Sequence, residues 1–479
     1  MAGQALTAGT GGRRRVLFGL LDGEGWTWAS IKAAFWFVVI VMLLGYLPDR
    51  AYYFTVFPTI DLGVLVYSPI NFCPPSNRTL PCPAPVGATL PWDPSPAELN
   101  LPSGGRTDGS AVQLGSKLAY IGGSDGKTAS EKTFLADLYS GTFGPWKAGP
   151  PLPAPRTAAG VVVLNGSVYV AGGNGPDGKP TDTVYVAAQD LATGVVGAFA
   201  ANDTLKLPEA RSSAVLLAAG DGLILIGGTN GTAVQGTVWK STLDSAGKLK
   251  AWVPQAPLPA GQEVSEASGA LVGDFVYIIG GRTAQGPVGT VLRGHIGKAQ
   301  DTLGQVVSWD IGGGATNLPA ARTRAAGFAA NGALYLVGGA DTAGPQKQAY
   351  WTVPDAKGDL PGWQHLDKTD PTVALASGSA VVSGAQAFVI GGTTPDQPAV
   401  AGAIRANLAP QPPFFQLGLF GATVPALKIG DEIGQQLGYL NAAGVGTVDF
   451  ILLLLIGWAF AHKERSREMV ARVVRRFRR

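Results

Sequence analysis

Cysteine is nearly absent from this chain of 479 residues, which has only Cys73 and Cys82. Two thiols do not complete a four-ligand zinc site, and no histidine lies near them. In CPPSNRTLPC they read instead as one small disulfide loop in an oxidising compartment. Histidine is scarce as well, with His295, His365 and His462 alone. Zinc, P-loop and Ser-His-Asp signatures are missing, so neither a metal nor a cofactor is expected and no catalytic constellation emerges. Charge is the third deficit: Asp, Glu, Lys and Arg make up 14% of the chain, where soluble domains carry roughly 25%. That argues against a plain cytosolic enzyme.

The charge that is present is unevenly placed. Two apolar runs, 27–47 (TWASIKAAFWFVVIVMLLGYL) and 442–461 (AAGVGTVDFILLLLIGWAFA), are each about the 20 residues that a bilayer core of roughly 30 Å requires. Residues 1–32 carry a net +2, residues 462–479 a net +6 and the middle a net −5. Basic flanks on the outer sides of both runs place the two termini in the cytoplasm and everything between the runs across the cytoplasmic membrane. A cleaved signal peptide is the rival for the first run. It would need a short basic leader and a small-residue cleavage site, whereas the long segment 1–26 precedes this run and LGYLPDRAYY has no A-x-A pattern. The tail REMVARVVRRFRR sets Met469, Val470, Val473, Val474 and Phe477 on one helical face with arginine around the other, the pattern of an interfacial helix on anionic lipid, and no nucleic acid is expected as a partner.

What the chain has in abundance is glycine and proline, 68 and 35 residues, and much of it is periodic. A Gly-Gly pair follows an apolar run at Gly122, Gly172, Gly227, Gly280, Gly338 and Gly391, a recurrence of about 50 residues that signals a repeat architecture. Each pair is preceded by an X-Pro step, at Pro102, Pro153, Pro208, Pro259, Pro319 and Pro371, and followed in register by an aromatic: Trp146, Phe199, Trp252, Trp309, Trp363 and Phe415. Arginine stands at one fixed offset before the pair in four copies (Arg106, Arg156, Arg211, Arg322), with Val264 and Leu375 in the other two. Within a unit, AGVVVLNGSVYVAGG predicts two strands around an Asn-Gly turn, TDTVYVAAQD a third, and the late aromatic marks a fourth. Four short antiparallel strands, six times over, bury their faces by stacking as blades around an axis.

These marks resemble the kelch repeat, and residues 99–417 look like a six-bladed, all-β, kelch-type propeller with one transmembrane helix at each end. The remaining segments are the cytoplasmic leader 1–26, a membrane-proximal stretch 48–98 holding the cysteines, a connector 418–441 and the basic tail 462–479. Ring closure stays open: the sixth unit supplies its own Phe415, or Trp92 in LPWDPSP brings an additional edge strand. Resemblance to copper-dependent galactose oxidases fails, because both cysteines precede the propeller. Resemblance to bacterial kelch-type sialic acid epimerases and mutarotases implies a funnel in which Arg106, Arg156, Arg211 and Arg322 bind a carboxylate while Glu263 serves as acid or base. The competing expectation is that the repeated arginine closes a loop against backbone carbonyls. N-x-S/T triplets at Asn77, Asn165, Asn202 and Asn230 add candidate glycan acceptors. The favoured expectation is a binding or assembly platform outside the cytoplasmic membrane, with membrane lipids and an extracytoplasmic protein or carbohydrate as partners.

Overall fold

The computed structural model describes residues 87–408, apart from 90–91, 103, 140–141, 191–194 and 384–385, together with 36, 415–416 and 425–426. The chain divides into two units, of which one spans 75–414 and 429–436. That unit carries six antiparallel sheets of at least four strands each, the blades of a propeller. Blade 1 comprises Thr107–Leu114, Lys117–Ser124, Thr133–Tyr139 and Lys147–Ala148; blade 2, Gly160–Leu164, Ser167–Ala171, Val184–Ala188 and Ala200–Ala201; blade 3, Val215–Ala219, Gly222–Ile226, Val238–Thr242 and Val253–Pro254. Blade 4 comprises Ser268–Val272, Phe275–Thr283, Gly286–Ile296 and Val306–Ile311; blade 5, Ala326–Ala330, Ala333–Val337, Ala349–Thr352 and Gln364–His365; blade 6, Ser379–Ser383, Gln386–Ile390, Ala403–Asn407 and, from the other end of the chain, Asp93–Pro94. The first strands of successive blades pack on one another and close a ring. In the other unit the described strands are Phe415–Gln416 and Pro425–Ala426, which pair antiparallel.

Closure therefore uses the N-terminal clasp. Asp93 pairs with Arg405 and Pro94 with Ile404, so the ring begins before the expected boundary at 99, and Phe415, paired with Ala426, is not the aromatic of blade 6. Trp92 takes that place. Six separate apolar cores lie between neighbouring blades, and each contains one late aromatic: Trp92, Trp146, Phe199, Trp252, Trp309 or Trp363. Burying a side chain of this size stabilises by about 1.5–3 kcal/mol. Trp146, Trp252 and Trp363 also donate their indole N–H to Leu99, Leu205 and Thr316, carbonyls of the crossover that leads into their own blade.

The paired glycines have a backbone reason. Both residues of every pair have positive φ. The second glycine of each pair donates its N–H to the carbonyl at the arginine position of the next blade: Gly123 to Arg156, Gly173 to Arg211, Gly228 to Val264, Gly281 to Arg322, Gly339 to Leu375 and Gly392 to Arg106, at 2.7–2.8 Å. A Cβ on the first glycine would sit 2.2–2.6 Å from that same carbonyl oxygen, so only glycine fits.

Apart from Trp36, the two apolar runs lie outside the described residues, as do Cys73, Cys82, Asn77 and the basic tail. Among the described residues no helix is long and apolar enough to cross a membrane.

Candidate functional site

Just past the arginine position the chain enters each blade through a non-glycine residue with positive φ: Asp108, Ala158, Ser213, Glu266, Arg324 and Ser377, at +50° to +54°. Each donates its N–H to the carbonyl of its counterpart in the preceding blade. Ala158 bonds to Asp108, Ser213 to Ala158, Glu266 to Ser213, Arg324 to Glu266 and Ser377 to Arg324 at 2.8–3.0 Å, and Asp108 closes the circle on Ser377 at 3.3 Å. This is a continuous ring of six backbone hydrogen bonds. Left-handed conformation in a side-chain-bearing residue costs roughly 1–3 kcal/mol and persists only where the surroundings over-determine it. The six-fold ring supplies that constraint.

Above part of the ring opens a cavity of about 550 Å³, lined by Asp108 and Arg324 and by the loops between second and third strands of blades 1, 2 and 6. Its lining is polar: the hydroxyls of Thr107, Ser124, Thr157 and Thr393, the amide of Asn174, the carboxylates of Asp108 and Asp177, and the cations Lys127 and Arg324. The loop bearing Lys127 is shaped by Asp125, whose Oδ1 accepts the N–H groups of Lys127 (2.9 Å) and Thr128 (2.7 Å). The Thr128 bond, then that of Lys127, holds the Asp125 carboxyl below its usual range. Arg324 is positioned from behind by Glu266, whose Oε2 lies 3.6 Å from Arg324 Nε and 3.2 Å from Arg282 Nε, and which also accepts the Thr323 hydroxyl. Hydroxyl, amide, carboxylate and guanidinium groups around one opening can hydrogen-bond a polyhydroxylated ligand, with few apolar walls to favour a greasy one.

The four arginines expected to line the funnel are elsewhere. Arg106, Arg156, Arg211 and Arg322 are 1–4% exposed, and the cavity lining includes none of them. Each donates Nη1 to the carbonyl of the residue before it, at 2.8–3.0 Å. Each guanidinium also lies over an aromatic ring on the third strand of its own blade: Phe134, Tyr185, Trp239 or Tyr350. Nη2 of Arg156 reaches Thr183 Oγ1 (2.5 Å) and Tyr185 OH (2.8 Å), that of Arg211 reaches Thr237 Oγ1 (2.8 Å), and that of Arg322 reaches Gln348 Oε1 (2.7 Å). Burial pushes the Arg156 guanidinium down from its ordinary value, against the raising effect of Tyr185. These groups tie the entrance of a blade to its third strand, the loop-closing arrangement. Glu263 directly follows the 259–262 turn, where its Oε1 accepts the Gly261 N–H at 3.2 Å, and it too is absent from the lining.

Of the described glycan-acceptor candidates, Asn202 and Asn230 use their amide oxygens inside turns, Asn202 accepting from Leu205 and Asn230 from Thr232 and Ala233. His365, Asp367 and Asp370 bring ligand atoms within 4.8 Å of one another. Asp370 already accepts the Ala349 N–H at 2.8 Å and pairs with His365 at 3.0 Å, which ties the crossover from blade 5 to blade 6.

Sequence reasoning missed the mouth residues. Asp108, Ala158, Ser213, Glu266, Arg324 and Ser377 all stand at one fixed offset before the first glycine of a pair, but only serine recurs among them, so a search for repeated residues passes over them.

Fold and mouth define a six-bladed β-propeller built on kelch-like units. Residues 155–186, in blade 2, match the family described as Kelch motif. The solved structure of YjhT superposes on 65% of this chain and 99% of its own, with a TM-score of 0.50 and 15% identity, which supports the fold alone. No curated protein matches the chain.

Proposed function

We propose that this protein is a two-span membrane protein that holds a closed kelch-type propeller outside the cytoplasmic membrane as a binding platform, and that the polar mouth binds a glycan. One observation supports an open mouth. The chain enters and leaves the ring side by side, with Thr89 bridged to Leu408, at the end of blade 6 where its third strand finishes. The mouth is built from loops where third strands begin, so it lies on the face of the ring opposite that entry and exit. The lining of hydroxyl, amide, carboxylate and cationic groups supports a carbohydrate over an apolar ligand. Cys73 and Cys82 form the disulfide of the membrane-proximal segment in this reading, and the basic tail lies on cytoplasmic lipid.

The test uses the full chain in mild detergent over a panel of immobilised glycans. Retention of a subset, weakened at least tenfold by Arg324→Ala and by Lys127→Ala, is the expected result. Retention of none, or binding indifferent to both changes, overturns the mouth assignment. Orientation is read separately: a membrane-impermeant maleimide labels Lys127→Cys in intact cells if the propeller is outside. A sugar-processing enzyme is the second reading, and release of a modified sugar that depends on the mouth carboxylate Asp108 would establish it.

A further inference from the structure

The loops above the mouth lean together in pairs. A Cβ on Gly126, in the blade 1 loop between second and third strands, would sit 2.8 Å from Pro398 Cβ in the matching loop of blade 6, and one on Gly231 in blade 3 would sit 3.1 Å from Pro180 Cδ in blade 2. Blade 1 therefore packs toward blade 6 and blade 2 toward blade 3. The cavity takes in the two loops left facing each other, that of Lys127 and that of 174–178. A Cβ on Gly178 would meet no atom within 4 Å, so this wall borders open space.

Both walls are fixed by their own hydrogen bonds. On one, Asp125 holds the Lys127 turn. On the other, Asp177 Oδ1 accepts the Lys179 N–H at 3.1 Å, Gly175 N–H donates to Lys179 C=O at 2.8 Å, and Gly178 N–H donates to Gly175 C=O at 3.0 Å. Groups already held in place cost a ligand little ordering.

The cleft runs outward from the axis. First strands pack around the axis, so the ring residues Asp108 and Arg324 mark its inner end. Lys127 and Asp177 stand in loops that join second to third strands, one to two strand spacings, or about 5–10 Å, further out. A ligand that meets Arg324 and Asp177 together is longer than one sugar ring, and a volume of about 550 Å³ is that of a drug-sized molecule. Among the described residues that line the cleft none is aromatic, so a sugar finds no ring face to stack on. What remains is hydrogen bonding to groups open to water, each bond worth roughly two- to tenfold in affinity. One sugar unit collects few such bonds, whereas a chain collects them in succession.

We infer that the mouth is a chain-binding cleft. It takes a linear oligosaccharide, with one part at Asp108 and Arg324 and another between Lys127 and Asp177, and chain length sets the affinity. This rests on the reading of the mouth as a glycan site.

The full chain in mild detergent is titrated with size-fractionated fragments of one to six sugar units from a neutral β-glucan, an acidic galacturonan and a basic chitosan. In a ladder that binds, affinity is expected to rise at least tenfold from one unit to three and to level off once the cleft is filled. Lys127→Ala, and Asp177→Asn, which keeps an acceptor for the Lys179 amide, are each expected to reduce that rise at least fivefold with the melting temperature unchanged. A single sugar that binds as tightly as the three-unit fragment, or a rise with length that both variants leave intact, overturns the chain-binding inference and leaves the glycan reading standing. Binding by no fragment of any ladder overturns both.

Discussion

The buried arginines and the mouth ring are near neighbours in sequence and do opposite work. At the arginine position the residue type repeats, in four blades of six, and the side chain is sealed against its own blade. At the ring position it is the backbone that repeats, with every φ between +50° and +54°, while the side chains run through Asp, Ala, Ser, Glu, Arg and Ser. Repetition of a side chain marks a task that every blade shares, which is packing. Repetition of a conformation without a repeated side chain leaves each blade free to present something different at the mouth, and binding needs that freedom.

The contrast is open to measurement, and the largest effect belongs to the packing side. Trp92→Ala removes the aromatic from the core between blades 5 and 6 and loosens the clasp, so a loss of about 3–5 kcal/mol is expected in denaturant unfolding. Arg211→Ala leaves the Thr237 hydroxyl and the face of Trp239 without their buried partner. A loss of about 3 kcal/mol is expected, with glycan binding reduced only as the fold is reduced. If Arg211→Ala instead left the melting curve unmoved and abolished binding, the packing assignment would fall.

Ring substitutions behave differently. Ala158→Gly keeps the backbone bonds and relieves a left-handed alanine, so thermal unfolding should rise by the equivalent of about 1 kcal/mol. Arg324→Ala should leave the melting temperature near that of the native chain while weakening ligand retention; a large thermal loss would move Arg324 to the packing side of the comparison. The smallest effect concerns pH. The hydrogen bond from Arg211, then that from Asn230, holds the Glu209 carboxyl below its usual range. A carboxyl with a depressed folded pKa contributes stability that is complete above its unfolded value and is lost as pH falls through the folded one. Glu209→Gln should therefore flatten the acid side of the stability curve slightly, by less than about 0.5 kcal/mol, since this carboxylate is half exposed and screened.

Much of this was legible in the sequence. The Gly-Gly pairs, the X-Pro steps and five of the six late aromatics lie where the spacing set them, because each answers a local demand that recurs in every blade: a left-handed backbone against a carbonyl, a crossover, a gap between sheets. The Asn165-Gly166 turn likewise joins the two strands it predicts. The sequence leaves the completion of blade 6 open between Phe415 and Trp92, because Phe415 keeps the interval while Trp92 precedes the first blade, and no local spacing tells which of two candidates pairs with Ala403–Asn407. The arginine funnel was misread for a related reason, since a charged side chain in register shows its position but not the direction in which it points.

By itself the sequence determined the number of blades, their strand order and the glycines at each turn of the ring, since these follow from periodicity and from steric limits between near neighbours in the chain. Only the tertiary structure decided which chain end closes the ring, that the four arginines fold back on the third strands of their own blades, and that Asp108, Glu266 and Arg324, far apart in the chain, share one mouth. Those outcomes depend on contacts between blades that are widely separated in sequence, such as Asp108 with Ser377, where the identity of one residue constrains its neighbour only after the circle has closed.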